Sequence, residues 1–122
     1  MGDRALIQLT NKSGQVSPVL YLHWSGSNVA DIIGRTQERM RDRVNDVEYS
    51  FARLVQEATR DDDEDTGFGC WNQAEPLTAK DSHGDAGCFL IDVTEQKWVV
   101  KAGGGYGFDS LDTSEFDVEK LD

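Results

Sequence analysis

A run of five acidic residues in the middle of the chain is the first candidate for chemistry, because alternating carboxylates can ligate calcium. Asp61, Asp63 and Asp65 stand where the first three ligands of an EF-hand loop would stand. The sixth position, however, is Thr66 where the sharp turn needs glycine, and the twelfth is Asn72 where a bidentate glutamate belongs. We therefore interpret the run as a solvated acidic loop, extended by repulsion between its charges.

The histidines and cysteines are the second candidate, since together they could form a Cys2His2 zinc site. His23, Cys70, His83 and Cys88 lack both a C-x-x-C pair and the spacing of a zinc finger or ribbon. One disulfide is arithmetically available, but the chain shows no secretory signal, and reduced thiols are the expected state. The sequence predicts no metal and no cofactor.

Catalytic signatures are weak. A cysteine and a histidine combined with Asp92 could form a nucleophile set, but no flanking motif supports it. The sequence contains no G-x-S-x-G, no phosphate-binding P-loop and no H-E-x-x-H. The glycine-rich residues 103–107 precede an acidic segment that would repel phosphate, and we expect them to form a flexible hinge. We therefore predict a non-enzymatic protein.

The charge is distributed unequally along the chain. Residues 1–60 hold 8 Lys/Arg and 7 Asp/Glu, a net of +1. Residues 61–122 hold 4 Lys/Arg and 16 Asp/Glu, a net of −12, and the whole chain carries −11. Such asymmetry can build a one-sided negative field, which opposes direct binding to nucleic acid or to an anionic membrane.

Basic residues in the first half fall on one side of a predicted helix. Arg35, Arg39 and Arg43 recur at four-residue intervals, and acidic residues interleave with them. One interpretation is an exposed face crossed by ion pairs. The other is that this face pairs with the acidic tail of the same chain, or with the acidic half of a second copy.

Hydrophobic patterning predicts the elements that position these groups. We expect α+β order ββααβββ, an antiparallel sheet of about five strands with two helices packed on one face. Trp24 and Phe51 should lie between the sheet and the helices. The predicted strands are 5–10, 16–24, 68–71, 87–93 and 98–101, and the predicted helices follow Asn28 and Asn45 or Asp46.

We expect a single domain over residues 1–107 and an acidic C-terminal segment over 108–122, either mobile or docked. No window approaches 18 apolar residues, and no apolar leader follows Met1, which together predict a cytoplasmic protein.

One stretch resembles a known group of proteins. Residues 21–26, Tyr-Leu-His-Trp-Ser-Gly, match a Tyr-x-His-Trp-x-Gly strand end in small proteins of phages and mobile elements. The resemblance covers about the first 60 residues, including Tyr49 and Phe51 in the second helix. Ser25 departs from it, because an acidic residue often follows the Trp in those proteins. Small acidic phage proteins include anti-CRISPR and anti-restriction inhibitors that imitate the charge of DNA, so the resemblance implies a bacterial host cytoplasm.

The leading hypothesis is a binding protein whose carboxylates stand where phosphates would stand, on a basic, nucleic-acid-binding partner protein. A homodimer is a further option. The alternatives are a structural or accessory phage-type domain whose acidity serves solubility and, third, a small metal-binding or hydrolytic protein. The predicted partner-binding residues are Asp61, Asp62, Asp63, Glu64, Asp65, Phe108, Asp109, Asp112, Glu115, Phe116, Asp117 and Glu119.

Overall fold

In the described part of the chain, a mixed sheet of six strands is accompanied by three α-helices. The computed structural model describes residues 2–60 and 67–119. The strands are β1 (Ala5–Thr10), β2 (Val19–Leu22), β3 (Phe68–Trp71), β4 (Gly87–Asp92), β5 (Val99–Gly103) and β6 (Asp117–Val118). The helices are α1 (Val29–Arg39), α2 (Val47–Ala58) and the short α3 (Tyr106–Asp109).

The strand order is β3-β2-β1-β4-β5-β6. The α+β class is confirmed, and β1 with β2, β2 with β3, and β4 with β5 are antiparallel as expected. The expectation of a wholly antiparallel sheet is wrong, because β1 pairs with β4 and β5 pairs with β6 in parallel. A parallel pair needs a long connection, which the chain supplies through both long helices and β3 before it returns beside β1.

Both long helices pack on one face of the sheet, here called the helix face. Their apolar stripes are buried there, as the helical periodicity predicted, and Leu54 is completely buried. Phe51 is half-buried and packs against this core. Trp24 does not join it: its side chain is 66% exposed, so the prediction of a buried Trp24 is wrong. The residue lies two positions beyond the end of β2, outside the strand.

The opposite face, here called the loop face, is covered by the segment after β3. Leu77 of that segment lies in a second apolar cluster with Leu6, Val19 and other strand residues. The buried amide of Gln8 fixes the segment, because its Nε2 donates to Gln73 O at 3.1 Å and its Oε1 accepts from Leu77 N at 2.9 Å. Burying that amide is tolerated because its donors and its acceptor are hydrogen-bonded.

The glycine-rich segment after β5 is tightly packed rather than an open hinge. A Cβ at Gly105 would stand 1.6 Å from Asp85 O, so only glycine allows this approach of the two backbones. The segment continues directly into α3, and the boundary predicted between residues 107 and 108 falls inside that helix. In the described part of the chain, no helix has the length and apolar character needed to cross a membrane.

Candidate binding surfaces

The C-terminal segment docks on the domain with its apolar and acidic side chains on opposite sides. Phe108 is 3% exposed, Phe116 is fully buried, and Leu111 is buried with them in the helix-face core. The sequence-based assignment of Phe108 and Phe116 as partner contacts is therefore at odds with the structure, since both rings serve as internal anchors. The five acids of this segment that the structure describes are exposed, and we call them the acidic ridge: Asp109, Asp112, Glu115, Asp117 and Glu119.

The ridge is tied to the rest of the domain by specific contacts. Lys97 Nζ lies 3.4 Å from Asp117 Oδ1, and Lys101 Nζ lies 3.4 Å from Glu119 Oε2. Gln37 on α1 donates to the carbonyl of Glu115 at 3.2 Å. Exposed ion pairs of this kind contribute about 0–1 kcal/mol, so they leave the carboxylates available to a stronger cationic partner.

Asp112 organises the turn before β6. Its Oδ1 accepts hydrogen bonds from the backbone N and the hydroxyl of Ser114, at 2.8 Å and 2.6 Å. These two bonds, of which the one from the hydroxyl has the larger effect, lower the pKa of Asp112 from its ordinary value.

The acids Asp61, Asp62, Asp63, Glu64 and Asp65 lie outside the described residues.

The arginines of α1 converge on a single carboxylate of α2. Glu57 is 6% exposed, and it accepts from Arg35 Nε at 2.8 Å and from Arg39 Nη1 at 2.9 Å. Burial raises the pKa of Glu57, but the hydrogen bonds from Arg35 and Arg39 and the charge of Arg60 outweigh it, and the net pKa is lowered. A cleft of about 460 Å³ opens beside this cluster and also reaches Glu115.

The other arginines of this region also have partners nearby. Arg41 pairs with Glu38, and Arg43 Nη1 lies 3.4 Å from Asp46 Oδ2. Ion pairs thus involve all three predicted arginines, but the single helix face expected for them is wrong, because α1 ends at Arg39 and Arg43 lies beyond it. The alternative in which these arginines bind the acidic tail has no counterpart among the described ion pairs.

A row of aromatic rings lies beside the end of β2, and the sequence analysis did not predict it. Trp71, Tyr21, His23 and Trp24 follow one another with centroid separations of 6.2, 5.8 and 4.1 Å, and we call them the aromatic row. The hydroxyl of Tyr21 lies 2.5 Å from His23 Nδ1. Trp71 is 41% exposed, and its Nε1 donates to Gln73 Oε1 at 3.2 Å. The Tyr-x-His-Trp motif could have indicated this row, because side chains two residues apart in a strand, here Tyr21 and His23, point to the same side.

A cluster of ionisable groups joins the N-terminal residues to the loop before β4. Arg4 Nε donates to Asp85 Oδ2 at 2.6 Å, and this bond lowers the pKa of Asp85. The hydroxyl of Tyr106 donates to Asp3, which raises the pKa of Tyr106 to about 12. Each of these groups has a protein partner, and we interpret the cluster as a set of contacts that holds the first residues of the chain against the rest of the domain.

Both thiols are free. Cys70 on β3 is exposed, whereas Cys88 on β4 is buried and donates to Thr78 O at 3.0 Å. Burial raises the pKa of both thiols. Two strands stand between β3 and β4, a separation of about 14 Å that no disulfide can span. Within residues 2–60 and 67–119, no three His, Cys, Asp or Glu side chains are grouped as a metal site would require.

Comparison with known proteins found no matching family model, no matching curated protein and no matching solved structure.

Proposed function

We propose that the chain is a non-enzymatic binding protein whose acidic ridge occupies a basic, normally nucleic-acid-binding surface of a partner protein. The inhibitor would be of the DNA-mimic or anti-defence type. Its carboxylates would meet the arginines and lysines that otherwise hold phosphates.

The observation that carries the proposal is the two-sided construction of residues 105–119. This stretch contains five acidic residues and no Lys or Arg. Buried Phe108, Leu111 and Phe116 hold its backbone against the core, while the five acids point outward. A docked segment does not have to be ordered when a partner binds, and that saving in entropy favours affinity.

The test begins with immobilised protein and a bacterial lysate, washed at 0.1 M and at 1 M NaCl. The Debye screening length shortens from about 10 Å to about 3 Å between these concentrations, so a partner bound to the ridge should be released by the second wash. Each captured protein is then assayed for binding to a DNA duplex with and without the present protein. We expect the DNA to be displaced.

Charge-neutral variants locate the surface. The triple variant Glu115→Gln, Asp117→Asn and Glu119→Gln should weaken capture at least tenfold, mainly through a slower association rate. The matched control neutralises three exposed acids elsewhere, Asp42, Glu48 and Glu75, and should change capture less than threefold. Capture that resists 1 M salt, or equal losses for both triples, would count against the ridge. Capture of no basic protein would favour the accessory-domain alternative.

The acidic run at 61–65 was predicted to contribute, and its role stays a prediction from the sequence. Replacing Asp61, Asp62, Asp63 and Asp65 by Asn removes repulsion between neighbouring charges, so stability should be unchanged or slightly higher. Partner association should slow. An unfolded variant would show instead that the run is a structural element.

A further inference from the structure

Within the described residues, the edge of the sheet formed by β3 has one protection of natural edge strands, its length of four residues, and lacks two others. Natural edges also carry a Lys, a Pro or a bulge, or are covered by other chain segments. The sequence of β3 is Phe-Gly-Cys-Trp, with neither charge nor proline. Within the described residues, β2 is its only strand partner, and the other side of β3 ends the sheet.

The hydrogen-bond alternation shows which peptide groups face outward. His23 N donates to Gly67 O at 2.9 Å, which makes that pair a hydrogen-bonded one. Because antiparallel pairs alternate, Gly69 and Trp71 also face β2. The N–H and C=O groups of Phe68 and Cys70 therefore point to the open edge, ready to pair with a further strand.

The aromatic row borders this edge and holds its rings in place. Trp24 is 66% exposed and Trp71 is 41% exposed, yet His23 contacts the first and Gln73 binds the second. Elsewhere in this protein an exposed ring carries cations: the guanidinium groups of Arg43 and Arg53 lie 3.9 and 4.2 Å from the centroid of Tyr49. Over residues 2–60 and 67–119, neither tryptophan has such a cation.

We propose that the β3 edge and the aromatic row bind an extended basic peptide segment of a partner protein. The segment adds to the sheet as a seventh strand through Phe68 and Cys70, a known mode of peptide recognition. A Lys or Arg of the segment lies over Trp24 or Trp71, because tryptophan is the strongest cation–π partner. The net charge of −11 favours a cationic segment over a neutral or acidic one.

This surface is separate from the acidic ridge. β3 and β6 form opposite edges of the sheet, five strand spacings or about 24 Å apart. Either contact can therefore fail in an experiment while the other holds. Pairing of this edge with a second copy of the chain would bring two strongly negative molecules together, which charge repulsion disfavours.

The probe is a capped heptapeptide of alternating lysine and valine, titrated into the full chain while amide exchange is followed residue by residue. We expect the amides of Phe68 and Cys70 to become protected at least tenfold. Methylating the peptide nitrogens that face β3 should abolish this protection. A peptide with glutamate in place of lysine should bind at least tenfold more weakly.

Four variants test the residues. Either Trp24→Ala or Trp71→Ala, whichever ring the cation covers, should weaken binding at least tenfold, whereas the control Tyr49→Ala should change it less than threefold. Cys70→Pro removes an outward N–H without removing a bond to β2, and should abolish binding while the sheet stays folded by circular dichroism.

Several results would overturn the proposal. One is that the lysine peptide fails to bind at millimolar concentration, and another is that the glutamate peptide binds equally well. The others are that protection appears only at amides that lie outside β3, and that both tryptophan variants bind the peptide as the parent does. A dimer in light scattering that Cys70→Pro dissociates would assign the edge to a second copy instead. Tighter binding of single-stranded oligothymidine than of the lysine peptide would assign the row to nucleic acid.

Discussion

Trp24 lies against Gly67 so closely that a Cβ at residue 67 would stand 2.8 Å from Trp24 Cδ1. Gly67 has a φ of +97°, a conformation that side-chain-bearing residues rarely adopt. Its carbonyl also accepts a hydrogen bond from His23, the neighbour of Trp24. The start of β3 and the end of β2 are thus joined at one point, and this junction positions an exposed indole ring.

Replacing Gly67 by Ala should combine a backbone cost with displacement of Trp24. Gly14 is the matched control, because it has a φ of +82° and no atom within 4 Å of an added Cβ. We expect Gly14→Ala to cost about 1 kcal/mol through its backbone alone, and Gly67→Ala to cost more. Urea unfolding gives both values. Equal costs with unchanged tryptophan fluorescence would show that Gly67 does not hold the ring.

The two aromatic residues Trp24 and Phe116 should respond oppositely to truncation. Trp24→Ala should cost less than about 1 kcal/mol, as for an exposed position. Phe116→Ala should cost about 3–5 kcal/mol, because it empties a fully buried site and releases the anchor of the ridge. Chemical denaturation measures both. A large loss for Trp24→Ala would place its ring in the core after all.

Glu57 should make stability depend on pH in the acid range. Its pKa is lower in the folded protein than the ordinary value of 4.5, so the folded state binds fewer protons than the unfolded state as the pH falls. The stabilisation is complete above about pH 4.5 and is lost as the pH falls through the folded pKa. Stability measured from pH 7 down to pH 3 should therefore decline at the low end.

Glu57→Gln isolates this contribution. The variant keeps the shape but loses the charge, and should cost about 1–2 kcal/mol at pH 7 because the arginines are partly solvated. The decline below about pH 4.5 should become shallower. Glu48→Gln, an exposed position on the same helix, should leave the profile unchanged. A variant profile that matches the parent would exclude Glu57 as the titrating group.

The two thiols should differ in reactivity and should not matter to the fold. Reductant should leave Tm unchanged, since β3 and β4 are too far apart for a bridge. A thiol reagent should modify exposed Cys70 in the native state, faster at alkaline pH, and reach buried Cys88 only on unfolding. A Tm that falls with reductant, or two equally fast thiols, would contradict this placement.

Local patterns predicted the elements well. The buried stripe of Val29, Ile32, Ile33 and Thr36 follows the helical period, and the hairpin of β1 with β2 follows from two apolar runs joined by a short turn. The strands β3, β4 and β5 were also predicted near their observed bounds. These features depend on neighbours within a few residues, so the sequence carries them directly.

The long-range arrangement could not be predicted in the same way. Whether β4 lies parallel to β1, and whether residues 117–118 add a sixth strand, depends on where the chain crosses the sheet. Phe116 and Trp24 illustrate the limit, since one was expected at the surface and is buried, and the other was expected in the core and is exposed.

The charge asymmetry, the helical and strand periods and the acidic character of the last segment can all be read from the order of the residues. Which acids form a ridge and which rings form a row depends on the folded arrangement. Periodicity sets which side of an element is apolar, whereas burial depends on distant segments that cover that side.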